Sequence, residues 1–160
     1  MRLLSLFFAA AMRPALPLAL LLAVTLIAAC GEVEDTRPGQ PVKTRQEAFK
    51  AIIRSFEPMG VMLRKGDYKA DKFLAMTEDL IAQRDGPWSH FGTDTDYPPT
   101  KATAEVWRQP EKFTEAKAAF IAATDKLLIA AQTKDRKQLD KPYQAVYDTC
   151  QDCHKTFRRR

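Results

Sequence analysis

Cys150-Gln151-Asp152-Cys153-His154 is the stretch on which the reading of this chain turns. Cys-x-x-Cys-His is the attachment signal of a c-type haem. Two thiols add across the haem vinyl groups, and the imidazole that follows becomes an axial ligand of the iron. On a helix turning about 100° per residue, positions 150, 153 and 154 fall within about one third of the circumference. One helical face therefore holds a macrocycle at two points and places His154 under the metal. A zinc site asks for further ligands, and outside the leader the chain offers no other cysteine and one other histidine, His90. A redox dithiol normally sits at a strand end in an α/β pattern, which this sequence lacks.

Working back from the motif, the sequence gives four amphipathic segments and no convincing strand alternation. The last, about Arg136 to Arg159, carries Leu139, Tyr143, Val146, Tyr147, Cys150, His154 and Phe157 on one side. Pro142 disturbs its first turns: either the helix restarts at an Asp140 cap or it bends there. Before it, Pro110 suits the first turn of a helix to about Thr133, with Phe113, Ala116, Phe120, Thr124, Leu127, Leu128 and Ala131 inward. Arg84 to Thr100 is a punctuated loop with two Gly and three Pro, and Ala104 to Arg108 is a short turn presenting Trp107. The second helix spans about Tyr68 to Gln83, capped by Asp67, with Phe73, Met76, Leu80 and Ile81 inward. The first spans about Val42 to Lys65, its stripe formed by Phe49, Ile52, Ile53, Phe56, Met59 and Leu63. Pro58 predicts a kink in it, and Gly66 closes it. The fold class is all-α: an antiparallel four-helix bundle over 42–160 with haem c covalently bound in its core.

The N-terminus reads differently. In residues 1–29 the only charges are Arg2 and Arg13, and Ala15 to Ala29 is apolar apart from Pro17 and Thr25. That is a signal peptide, with its start at Met1 or at Met12. Leu26-Ile27-Ala28-Ala29-Cys30-Gly31 resembles a bacterial lipobox, in which the cysteine after the cut is acylated. Lipidation at Cys30 anchors the protein to a membrane, since each buried CH₂ contributes about 0.8 kcal/mol. Residues 30–41 then form a lipidated tether, and the protein is exported to the periplasmic side. Without the leader, 23 basic residues stand against 20 acidic ones. No aromatic-basic interleaving accompanies that small excess, and nucleic acid is not expected as a partner.

Taken together, the mature chain resembles cytochrome c′. The resemblance rests on Arg45-Gln46-x-x-Phe49, Lys65-Gly66-Asp67-Tyr68, Pro87-Trp88-x-x-Phe91-Gly92, Glu105-Val106-Trp107 and Cys150-x-x-Cys153-His154-x-x-Phe157-Arg158. It implies a homodimer through the first two helices and pentacoordinate, high-spin iron that binds nitric oxide and carbon monoxide. It implies Cys150 and Cys153 as covalent attachment points, His154 as axial ligand, and Phe49 as the apolar cover of the sixth coordination site. Arg45 and Gln46 resemble residues near a haem propionate. Thr95 and Asp96 fill similar haem-edge positions, although the 94–100 segment departs from the pattern. Arg158 resembles the basic residue beside the proximal imidazole.

Two functional readings follow. In the first, the iron takes NO or CO as ligand, in nitric oxide sequestration or tolerance. In the second, the same bundle is a low-spin electron carrier serving a periplasmic redox partner, with a methionine sulfur as sixth ligand. Position 49 discriminates between them. It is phenylalanine, and Met59 lies ten residues on, about 15 Å along a helix axis. The gas-binding reading is favoured, and Met59 and Met62 are read as core fillers. No paired carboxylates, triad or phosphate loop points to an enzyme.

Overall fold

The computed structural model describes residues 33–159. The signal segment, the choice between Met1 and Met12, and Cys30 lie outside the described residues. Among the described residues there are five α-helices: α1 (Pro41–Lys65), α2 (Ala70–Gln83), the short α3 (Glu105–Arg108), α4 (Pro110–Gln132) and α5 (Asp140–Phe157). Single 3₁₀ turns at Trp88–His90 and Arg136–Gln138 interrupt the connections. The four long helices form an antiparallel bundle in which α1 packs on α2, α2 on α4, and α4 on α5. Among the described residues the extended pairing is one isolated bridge, Ala102 to Arg158.

Local chemistry sets the helix ends. Pro41 and Pro110 occupy the first turns of α1 and α4, where a missing N–H costs nothing. The α1 N-terminus is closed by Asp35, whose Oδ2 accepts from the backbone N–H of Val42 (2.9 Å) and of Lys43 (3.1 Å). Asp35 is 1 % exposed, so packed structure begins upstream of the boundary at residue 42 expected from composition. Gly66 ends α1 at φ 71°, a left-handed conformation that glycine adopts without strain. The helix runs continuously through Pro58. The expected start of α2 needs correction. Asp67 does not cap it: its carboxylate lies 3.4 Å from Lys69 Nζ, Lys69 is extended, and the helix begins at Ala70. The alternative left open at Pro142 resolves as a restart, with α5 beginning at Asp140 after a separate 3₁₀ turn.

Met59, Phe73, Leu80, Leu127, Leu139 and Val146 form the fully buried centre. The Thr77 hydroxyl lies 2.8 Å from the Phe73 carbonyl and 3.3 Å from Met59 Sδ, which ties the sulfur into the core. Besides His154, two residues of the stripes are exposed: Ile53 at 46 % and Tyr147 at 44 %. The arcs that α1 and α5 bury are narrower than a stripe of three- and four-residue steps allows. Arg84 joins the end of α2 to α4 through Thr124 Oγ1 (2.7 Å) and Asp125 Oδ1 (2.6 Å).

Candidate functional site

Cys150 and Cys153 stand one turn apart on α5, both half-buried. Cys150 packs against the main core, and Cys153 against a second cluster made by Ala102, Val106 and Phe157 with Phe91, Trp107 and Phe113. The two thiols therefore mark the seam between two apolar clusters. Burial pushes the Cys150 thiol up to about 11, with Cys153 adding to the shift, and burial raises Cys153 as well. Both are neutral thiols, whose S–H is the bond that adds across a vinyl group. His154 is exposed on the same helix. Partial desolvation first, and then the charge of Arg158, hold its imidazole below the usual histidine range, so a nitrogen lone pair is available. Among the described residues no three His, Cys, Asp or Glu side chains gather into a metal cage. What the chain offers iron is one imidazole beside two attachment points.

Facing α5 is a wall of rings. Phe49, on α1, meets Trp88 edge-on at 5.5 Å and 87°, and Phe91 at 6.3 Å and 71°. Trp88 continues to Phe113 (6.2 Å) and Phe120 (6.1 Å), Phe91 reaches Phe113 at 4.9 Å, and Phe113 reaches Phe157 at 5.2 Å. A hollow of about 500 Å³ opens beside them, lined by Trp88, Phe91, Trp107, Phe113 and Lys117 among others. Its volume and π-rich lining suit a planar apolar guest. Cys153 packs on the ring cluster beside this hollow, and the donor set on α5, two thiols one turn apart with one imidazole, fits a haem hung from that helix.

The polar residues gather around the 84–100 loop. Arg45 is 3 % exposed and engaged by the loop. Its Nη1 donates to the His90 carbonyl (2.9 Å) and Thr95 Oγ1 (2.8 Å), and its Nη2 to the Thr95 carbonyl (3.0 Å) and the Thr100 hydroxyl. Its guanidinium lies 4.6 Å from the Phe91 ring centre. Desolvation lowers its pKa, against opposing contributions from Tyr97, Asp35 and Asp96. Gln46 donates to the Pro99 carbonyl at 3.1 Å. These two residues, with Thr95, knot the 84–100 loop onto α1. Asp96 is exposed, 3.5 Å from Arg159, and the Arg158 backbone bridges to Ala102. His90 is half-buried in the loop.

The sequence reading singled out neither Asp35 nor Lys117. Asp35 also accepts from the Tyr97 hydroxyl (2.8 Å) and so joins the start of α1 to the loop. Lys117 follows Phe113 by one turn on α4, and that spacing is the signal that was there to find.

The family model described as Cytochrome C′ matches residues 40–158. Among solved structures, cytochrome c′ from Rubrivivax gelatinosus is similar at 28 % identity and TM-score 0.72, covering 78 % of this chain and 99 % of its own. Cytochrome c prime from Shewanella frigidimarina is similar at 25 % identity and TM-score 0.74, covering 78 % and 98 %. A nitric oxide complex of a mutant cytochrome c prime from Alcaligenes xylosoxidans is similar at 29 % identity and TM-score 0.72, covering 79 % and 100 %. A carbon monoxide-bound variant from the same organism has the same identity and TM-score. No curated protein matched the chain.

Proposed function

This chain belongs to the cytochrome c′ family and carries one covalent c-type haem; on that premise we propose that it binds NO and CO at pentacoordinate, high-spin iron, in nitric oxide sequestration or tolerance and not in turnover. When bound, the haem supplies an iron with one coordination position open to a neutral diatomic. The chain's own residues determine what reaches that position. His154 presents its imidazole on the α5 side, its pKa lowered first by partial desolvation and then by the charge of Arg158. Phe49 brings a ring without a donor atom, braced edge-on by Trp88 and Phe91. A dry aromatic roof disfavours water and anions, which lose hydration there without compensation, and tolerates small neutral ligands.

The observation that carries this reading is the location of the α1 sulfurs. Met59 is fully buried with its Sδ at the Thr77 hydroxyl, and Met62 Sδ accepts from the Lys69 backbone N–H at 3.4 Å. Both serve the core, and neither is near Phe49 in sequence. The Alcaligenes xylosoxidans relatives that hold nitric oxide and carbon monoxide support the same reading. The test is the absorption spectrum of the ferrous protein before and after nitric oxide, in the natural chain and in Phe49→Met. A high-spin natural chain that binds the gas, and a six-coordinate low-spin variant, are expected. A low-spin natural chain would replace the gas reading with electron transfer.

Export to the periplasmic side with a lipid on Cys30, and homodimerisation through α1 and α2, belong to the same proposal. Cys30→Ser should release the protein from the membrane fraction, and persistence there would argue for a retained leader helix.

A further inference from the structure

We infer that the end of the bundle where α1 begins and α5 finishes meets the lipid surface that holds the acylated Cys30. The inference deepens the membrane anchoring proposed above and rests on it, and it is independent of which gas the iron takes. Composition alone makes residues 30–41 a tether, and an extended chain of that length reaches about 40 Å. That exceeds the length of α1, whose 25 residues rise about 38 Å. With such slack, either end of the bundle reaches a membrane equally well. The structure shortens the tether. Asp35, 1 % exposed, accepts from the Val42 backbone N–H (2.9 Å) and the Tyr97 hydroxyl (2.8 Å), and its carbonyl accepts from Gln40 Nε2 (2.9 Å). Arg37 is a second staple: its Nη1 donates to the Asp94 carbonyl at 2.8 Å, and its guanidinium lies 3.8 Å from the Tyr97 ring centre. From Asp35 onward the chain is therefore fixed to both α1 and the 84–100 loop. Cys30 to Asp35, fully extended, spans at most about 18 Å, less than half of α1.

The end of α5 is stitched to the same end of the bundle, since the Arg159 backbone N–H donates to the Lys101 carbonyl at 2.7 Å and the Thr103 N–H to the Phe157 carbonyl at 3.1 Å. Cys153 and His154 lie in the last two turns of α5, so the attachment motif stands on the membrane side of the bundle. Charge does not select this surface. Exposed Lys43, Lys101 and Arg158 stand there with exposed Glu34, Asp94 and Asp96, and the signs are mixed. Reach selects it: the tethered end stays near the lipid in every posture, whereas the far end, at Lys65 and Lys72, comes near only if the bundle lies flat.

The experiment uses the full-length holoprotein with its acylated Cys30, in vesicles of zwitterionic phosphatidylcholine and in detergent solution. A water-soluble amine reagent acetylates exposed lysines, and mass spectrometry reads the rate at each. In vesicles, Lys43 and Lys101 should react several-fold more slowly than in detergent, while Lys65 and Lys72 keep their rates. Inserting about 30 Gly and Ser residues between Gly31 and Glu32, with an r.m.s. span of about 30 Å, should bring Lys43 and Lys101 back toward their detergent rates. Equal shielding at both ends overturns the inference. So does shielding that survives the insertion, or that is already present in detergent, which would assign the face to a second copy of the chain. A natural chain that does not join the vesicles overturns the acylation and the inference together. A chain that binds through Cys30, is lost from vesicles as Cys30→Ser, and yet is shielded equally at both ends overturns the inference alone.

Discussion

At the end of the bundle where α1 finishes and α5 begins, Tyr143 stacks on Phe56 at 4.4 Å and 8°, and Gly60 leaves room for the tyrosine hydroxyl. At the opposite end, where α1 begins and α5 finishes, rings meet edge-on and enclose a hollow. The same helices make both ends. The closed end joins aliphatic side chains, methionine sulfur and one flat aromatic stack, and the hollow beside it, of about 600 Å³, is lined mostly by charged side chains, Arg54, Glu57, Lys65 and Lys72 among them. The open end sets six aromatic side chains at steep angles, so that their faces cannot fill the space between them. The fully buried core is concentrated toward the first, and Cys153 and His154 stand toward the second. That division lets α5 serve both as a core helix, through Leu139 and Val146 just before and within it, and as the haem helix, through its last two turns.

The largest effect expected is at the open end. Cys150→Ala with Cys153→Ala removes both thioether positions. Denatured protein in an acid–organic extraction should then release all of its haem, where the natural chain retains it. Retention by the double variant would mean that attachment is not through α5. At the closed end, Leu127→Ala should lower the unfolding free energy by about 2–5 kcal/mol in urea titration, because a fully buried leucine leaves a cavity. Its spin state should not change, and a spin-state change would show that the two ends are not separable. Gly60→Ala should cost about 1–3 kcal/mol. The added methyl meets the Tyr143 hydroxyl, and the ring cannot yield without leaving its stack on Phe56. A neutral result would show that the stack tolerates sliding.

How far each end was legible in the sequence follows from how local its chemistry is. The haem motif occupies five consecutive residues, and the helices announce themselves by apolar steps of three and four. The bundle was therefore readable, and the motif names its attachment points without help from the rest of the fold. The resemblance singled out Phe49, whereas its contact with Trp88 was not readable, because the two are 39 positions apart and joined by an aperiodic loop. Arg45 shows the same limit: its partners lie 45 to 55 residues away, and nothing in the local pattern distinguishes a buried guanidinium from a solvated one. Asp67 misled in the opposite direction, since a residue with good capping chemistry formed an ion pair with its neighbour. Asp35 was hidden by its surroundings, as an acid among acids in a Pro- and Gly-bearing stretch.

Asp35 also provides the mildest way to sharpen the comparison, because it belongs to the open end and acts through charge. Desolvation pushes its pKa up, but the hydrogen bonds from Tyr97 and from the Lys43, Arg37 and Val42 backbone outweigh that and hold it below the ordinary 3.8. A depressed folded pKa contributes stability above the unfolded value, which is lost as pH falls through the folded one. Asp35→Asn keeps one acceptor oxygen and loses the charge. The variant should therefore melt below the natural chain at pH 7, and the gap should narrow as pH drops beneath about 4. Thermal unfolding at pH 7 and pH 3 measures it. A gap that stays constant would mean that Asp35 acts by shape alone. A gap of zero at both values would mean that the α1 N-terminus does not need the carboxylate, and the loop's hold on the open end would then fall to Arg45.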